Sequence, residues 1–193
     1  MSEPKVLFED HGNIALIKLN RPEKRNALDP ETVMMFNEFS EKAKDPKFRA
    51  VIVTGDESAF CGGADITAAA SEDGMGWESV EKALNEGYHV GLNNLIYMDK
   101  VVIAAVEGAC AGIGCAYYLS SDIAVMAKSS FFQIGFSKIA LIPDGGSNWL
   151  LTKVVGYQQA FRMAAEAKRV SAEECQSLGM CSEICEDGSA LDS

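Results

Sequence analysis

The chain has 193 residues, a length that suits one domain. With 48% hydrophobic and 23% charged residues it can build a packed core, which excludes wholesale disorder. Seventeen basic against 28 acidic residues give a formal charge of -11; that argues against a nucleic-acid groove, yet an anionic ligand held by a few cations or backbone N–H groups stays open.

The N-terminus, "MSEPKVLFED", is charged and lacks the apolar segment of a signal peptide. No apolar run approaches the ~20 residues of a membrane span, so a cytoplasmic location is expected. "KVLFED" and "NIALIKLN" predict two strands around a His11-Gly12-Asn13 turn. After the polar loop "RPEKRNALDP", Asp29 reads as an N-cap and Pro30 as the first residue of a helix. That helix carries an apolar stripe of Val33, Met34, Phe36 and Phe39 and stops near "KDP". "RAVIVTG" predicts a buried strand. The glycine-rich run "SAFCGGADITAAASEDGMGWES" reads as irregular, and a helix is expected around "SVEKALNEGYHVGLNNLIYM".

Next come the strand "VVIAAVEG", a short helix near "CAYYLSS" and the strand "DIAVMA". "SFFQIGFSKIALIPDGG" reads as apolar loop and short strand, "SNWLLTKVVG" and "YQQAFRMAAE" as helices, and "SAEECQSLG" as a serine-capped helix with Glu174 in a capping box. Strands and helices alternate, which predicts an α/β fold with buried parallel strands. The six cysteines show no CxxC pairing and stand apart from His11 and His89. They read as small buried apolar side chains, and no metal is expected.

Two turns point to chemistry. "FCGGADI" (60–66) places two glycines beside Ala64, leaving backbone N–H groups uncovered. "EGACAGIG" (107–114) leads from a strand into a helix and presents the N–H groups of Ile113 and Gly114 at its start. Taken singly, the first is also a plain tight turn, and the second also suits close helix–strand packing. Together, two strand-end turns that each offer one N–H can clamp a single carbonyl oxygen, as an oxyanion hole does.

"RPEKRNAL", "AFCGGADI", "VEGACAGIG…SSDIAV", "IALIPDGGSNWLLTKVVG" and "RVSAEECQSLGM" occur in that order from about residue 4 to 185. In this the chain resembles the crotonase family, the enoyl-CoA hydratase/isomerase superfamily. The resemblance implies a crotonase-like spiral of ββα units over residues 1–193, assembly as a homotrimer or dimer of trimers, and an acyl-CoA thioester substrate. Coenzyme A then belongs to the substrate, and no other cofactor is expected. Relatives usually continue with C-terminal helices, and this chain ends at Ser193. By position, Ala64 and Ile113 match the two oxyanion N–H donors, where glycine is frequent at the second. Lys24, Arg25, Ala27, Cys61, Gly62, Asp65, Ile66 and Gly112 match the segments that contact the CoA portion and shape the site. Lys24 and Arg25 also read as ordinary surface charges.

In hydratases of the family, glutamates stand where this chain has Ala116 and Phe136. Neither residue moves protons. Asp144, in "LIPDGG", matches the aspartate that serves as base in isomerase-type relatives. It also suits the N-cap of the following helix, and the two roles are compatible. Asp65 reads as a structural hydrogen-bonding group, and Glu107 has no assigned role. The resemblance therefore implies an enolate-stabilising enzyme, an enoyl-CoA isomerase first. A hydratase or acyl-CoA hydrolase using another acid, Glu107 included, and a non-catalytic acyl-CoA or partner binder remain alternatives. Met34, Met35, Met75, Trp77, Tyr88 and Tyr97 are candidate acyl contacts, though such side chains in helical stripes are more often core.

Overall fold

The structure, a computed structural model, describes residues 3–69 and 77–193. Its elements form two sheets. The larger contains β1 (Val6–Asp10), β2 (Ile14–Leu19), β3 (Ala50–Thr54), β5 (Val101–Val106), β7 (Ile123–Ala127) and β10 (Glu183–Cys185), hydrogen-bonded in that order. Only the β1–β2 hairpin is antiparallel; the other pairs run parallel. Those central strands are near-continuous apolar runs, as burial on both faces requires.

The second sheet orders β4 (Ala59–Cys61), β6 (Ala109–Ala111), β8 (Phe131–Gln133) and β9 (Val170–Ser171). Three times the chain runs from a strand of the large sheet to a strand of the small one: β3 to β4, β5 to β6, β7 to β8. Helical segments follow each passage. This is the expected ββα spiral. Of the small sheet the sequence reading expected only a short strand in the region of β8; the other strands are two or three residues long, too short for alternation to register.

Helix α1 spans Pro30–Lys42 and is capped as predicted: the Asp29 carboxylate accepts from the Thr32 N–H at 2.8 Å. Val33 and Phe36 are buried there, whereas Met34 lies on the solvent side. Helices α2 (Ile66–Ala69) and α3 (Trp77–Lys82) come next; a π-helical stretch, Ala83–Tyr88, then joins α3 to α4 (His89–Ile96). The short α5 (Gly114–Leu119) is buried throughout. A 3-10 turn at Phe136–Ile139 precedes α6 (Ser147–Val155), α7 (Tyr157–Glu166) and α8 (Ala172–Ser177). The Ser171 hydroxyl accepts from the Glu174 N–H at 3.2 Å, so the α8 cap forms where expected.

One main core runs between the sheets and helices. All six cysteines are buried free thiols within the apolar interior. No helix among the described residues is long and apolar enough to cross a membrane.

Candidate active site

The small sheet places the two glycine turns side by side. Strands β4 and β6 pair in parallel, with Ala59 opposite Ala109 and Cys61 opposite Cys110. Chain leaving both strands at the same end therefore emerges together, where ligands gather in parallel sheets. Gly63 and Gly112 meet there. A Cβ on Gly63 would sit 3.1 Å from the Ala111 carbonyl oxygen, and one on Gly112 would sit 3.5 Å from the Gly63 Cα. Both glycines have positive φ, +102° and +55°. A side chain at Gly63 would crowd the Ala111 carbonyl, while at Gly112 the contact is ordinary and the positive φ is what disfavours one.

Ala64 follows the first contact and Ile113 the second. Among the described residues, neither N–H donates to a protein acceptor. Their neighbours are engaged. The Gly62 N–H donates to the Arg25 carbonyl at 2.8 Å, the Leu28 N–H to the Gly63 carbonyl at 2.8 Å, and the Asp65 N–H to the Leu28 carbonyl at 2.9 Å. The Gly112 N–H donates to the Gln133 carbonyl at 3.1 Å. Helix α5 has six residues, so its dipole is short; the bare N–H of Ile113 is what it offers.

The loop Arg21–Leu28 is zipped to the Ala64 turn by these bonds and by a buried ion-pair network. The Arg21 guanidinium reaches Asp65 at 3.0 Å, Asp29 at 3.3 Å and the Ala27 carbonyl at 2.5 Å. Lys5 adds a contact to Asp29 at 2.6 Å. Burial pushes the Asp29 carboxyl up, but Lys5, the Thr32 N–H and hydroxyl, and Arg21 outweigh it and hold it down at about 2. Asn26 is buried with φ +55°; its side chain accepts from the Arg21 N–H and donates to the Ala59 carbonyl at 2.7 Å.

These bonds decide what the expected ligand-contacting residues can do. Lys24 and Arg25 are exposed beside the turn and remain available to an anionic group. Ile66, at the start of α2, is exposed as well. Ala27 offers little, since its N–H donates to Lys24 and its carbonyl accepts from Arg21. Cys61 is fully buried, and a Cβ on Gly114 would lie 2.8 Å from its sulfur, so its side chain cannot touch a ligand. Burial pushes that thiol up to about 12. The Asp65 carboxylate is held by Arg21 and by the Thr67 hydroxyl at 2.6 Å, a structural role rather than a substrate contact. Gly62 and Gly112 have lost their N–H groups to protein carbonyls and contribute shape alone.

Asp144 joins the site from the other side. A Cβ on Gly145 would stand 2.9 Å from Ile113 Cγ1, so the residue after Asp144 touches the turn that carries Ile113. The cap reading for Asp144 does not hold. Helix α6 starts at Ser147 with Gly146 as N-cap and no side-chain cap bond. It is the Asp144 carbonyl that is held, by the Ser147 N–H at 2.9 Å and its hydroxyl at 2.7 Å. The carboxyl is left over. Its Oδ1 is buried with no hydrogen-bond partner among the described residues. Burial pushes the group up to about 6, against a smaller downward pull from its own N–H. The Tyr88 phenol lies within electrostatic reach and donates to the Leu28 carbonyl at 3.3 Å.

Ala116 and Phe136 are both buried and apolar. Glu107 is buried elsewhere: its carboxylate accepts from the Ala190 N–H at 2.9 Å, toward the chain's C-terminal segment. Of the candidate acyl contacts, Met34 and Tyr97 are exposed, Met35 and Tyr88 half-buried, and Met75 and the Trp77 side chain lie outside the described residues. Sequence reasoning did not find the packing of Gly145 against Ile113 and Leu92, whose Cδ1 would lie 3.4 Å from a Cβ on Gly145; no local pattern signals it.

A family model described as enoyl-CoA hydratase/isomerase matches residues 9–192. A "Probable enoyl-CoA hydratase" of Rhodobacter capsulatus is 35% identical over 187 residues, covering 97% of this chain and 71% of that protein. A "1,2-epoxyphenylacetyl-CoA isomerase" of Escherichia coli is 33% identical over 195 residues, covering 97% and 72%. Among solved structures, an enoyl-CoA hydratase from Polaromonas superposes with a TM-score of 0.90 at 31% identity, covering 97% of this chain and 73% of that one.

Proposed function

Because the chain belongs to the enoyl-CoA hydratase/isomerase family, we propose that it is an enoyl-CoA isomerase acting on 3-enoyl-CoA thioesters with Asp144 as its one proton-carrying group. The thioester oxygen sits between the N–H groups of Ala64 and Ile113. The Asp144 carboxylate takes a proton from the α-carbon, and the electron pair left behind moves into the thioester oxygen as a dienolate. The two N–H groups stabilise that charge as it forms, which is where such donors act most strongly. The same carboxyl returns its proton at the γ-carbon, leaving a 2-enoyl-CoA. Lys24 and Arg25 face the CoA phosphates. The reaction needs no metal, nicotinamide or flavin, and assembly as a trimer or dimer of trimers accompanies this reading.

The observation that carries it is the Asp144 carboxyl: half-buried, with its buried Oδ1 unpartnered among the described residues, and one residue away from the contact of Gly145 with Ile113. A base with its pKa near working pH is effective in proton transfer. Only ionised Asp144 accepts a proton, so kcat/KM should rise with pH through about 6 and level off above it.

Relatives named as hydratases favour a second reading, addition of water to 2-enoyl-CoA. That reaction would need a further acid, and the Glu107 carboxylate is bound to the Ala190 N–H. The two readings separate in heavy water. Isomerisation of 3-enoyl-CoA with deuterium entering the α and γ positions supports the isomerase; hydration of 2-enoyl-CoA without double-bond migration overturns it.

A further inference from the structure

An oxyanion donor at position 113 needs only a backbone N–H, yet this chain carries a branched side chain there, 3% exposed. That side chain is aimed at the residue following Asp144. A Cβ built on Gly145 would stand 2.9 Å from Ile113 Cγ1, 3.0 Å from Ile113 Cδ1 and 3.4 Å from Leu92 Cδ1. Gly145 has φ +59° and no room for a side chain, so backbone and Ile113 meet in direct contact. On its other flank Asp144 is pinned by Ser147 through two bonds to its carbonyl. The carboxyl between these anchors has a buried, unpartnered Oδ1.

We propose that Ile113 is a positioning residue for Asp144: with Leu92 it clamps Gly145, and so keeps the carboxyl dry and at a fixed offset from the N–H that the same Ile113 presents. The inference rests on reading Asp144 as the base. One residue then serves both halves of the site, its backbone facing the thioester oxygen and its side chain holding the proton carrier. Donor and base move as a unit.

A consequence follows for protonation. Asp144 owes its raised pKa to burial rather than to a charged neighbour; the titratable group facing it among the described residues is the Tyr88 phenol, itself pushed up to about 12 by burial first. Shortening Ile113 loosens Gly145 and admits water, which returns the carboxyl toward the ordinary range.

The test is a carboxyl-carbon NMR titration of the full chain labelled at aspartate, with the Asp144 signal identified by its loss in Asp144→Asn. Wild-type Asp144 should titrate near 6. Ile113→Val should raise its acid constant about threefold and Ile113→Ala about tenfold, with the acidic limb of kcat/KM moving in step. Ile17→Val, the same truncation at a fully buried site in β2, should leave the titration in place while lowering stability. An Asp144 titration unchanged in folded Ile113→Val overturns the proposal, and that variant decides the matter if Ile113→Ala does not fold. The titration needs no turnover. A shift in the expected direction in a protein that fails to isomerise 3-enoyl-CoA would support the clamp and sink the isomerase reading.

Discussion

The turn at Ala64 and the loop at Asp144 both abut the Ala111–Ile113 turn, through Gly63 and Gly145 respectively, but they are built in opposite ways. Around Ala64 nearly every polar group is matched. Arg21 bridges two carboxylates and a carbonyl, Asn26 bonds on both ends, and Gly62, Leu28 and Asp65 interlock through backbone bonds. The Ala64 N–H stands out because its surroundings are satisfied. Around Asp144 the chain does the reverse. Ala140, Gly145 and Gly146 take left-handed conformations, and the carboxyl is buried with an oxygen unmatched. Under the proposed function, the donor that stays in place is surrounded by bonds, and the carboxyl that changes protonation keeps one oxygen without a partner among the described residues.

Breaking the unmatched side should have the largest effect on rate. Asp144→Asn keeps the shape and removes the base, so isomerisation should fall about 10²–10⁴-fold while CoA-ester binding is retained, in steady-state kinetics and calorimetry. The same substitution should stabilise the fold at higher pH. A carboxyl whose folded pKa is raised binds more protons folded than unfolded, so its contribution to stability falls as pH climbs from the unfolded value through about 6. The thermal midpoint of Asp144→Asn relative to wild type should therefore be higher at pH 8 than at pH 4.

Breaking the matched side should show in stability first. Arg21→Met removes the cation that bridges Asp65 and Asp29 in a buried setting, a loss of about 3–5 kcal/mol in urea unfolding. Activity should drop with it, because the Ala64 turn loses its brace. Gly63→Ala forces a side chain to φ +102° against the Ala111 oxygen at 3.1 Å, with an expected cost of about 1–3 kcal/mol and a lowered kcat. Tyr88→Phe should be the mildest. It removes one long bond to the Leu28 carbonyl, worth about 1 kcal/mol or less, and a large fall in kcat would show that the phenol does more than brace the turn.

Much of this was legible along the chain. The β1–β2 hairpin, the Asp29 cap with Pro30, the parallel strands and the α6 and α7 helices each follow from local periodicity and capping chemistry, so they appear where expected. Both glycine turns were visible as well, since positive φ and close approach select glycine wherever they occur. The roles of neighbouring residues were less legible. Cys61 and Asp65 sit inside the right motif, yet one faces the core and the other an arginine 44 residues away. Asp144 had two compatible readings in sequence, base and cap; the helix starting at Ser147 frees its carboxyl from the second.

The sequence by itself determined the family, the order of the large-sheet strands and main helices, and where the two glycine turns fall, because each is encoded within a few adjacent residues. Which N–H groups are left unengaged, which carboxyl is dry, and that Ile113 rests on Gly145 were decided only in three dimensions. Those properties depend on β4 and β6 ending at the same edge and on residues some thirty positions apart being pressed together. Solvent exclusion and hydrogen-bond competition are set by the whole packed chain, and no local stretch carries them.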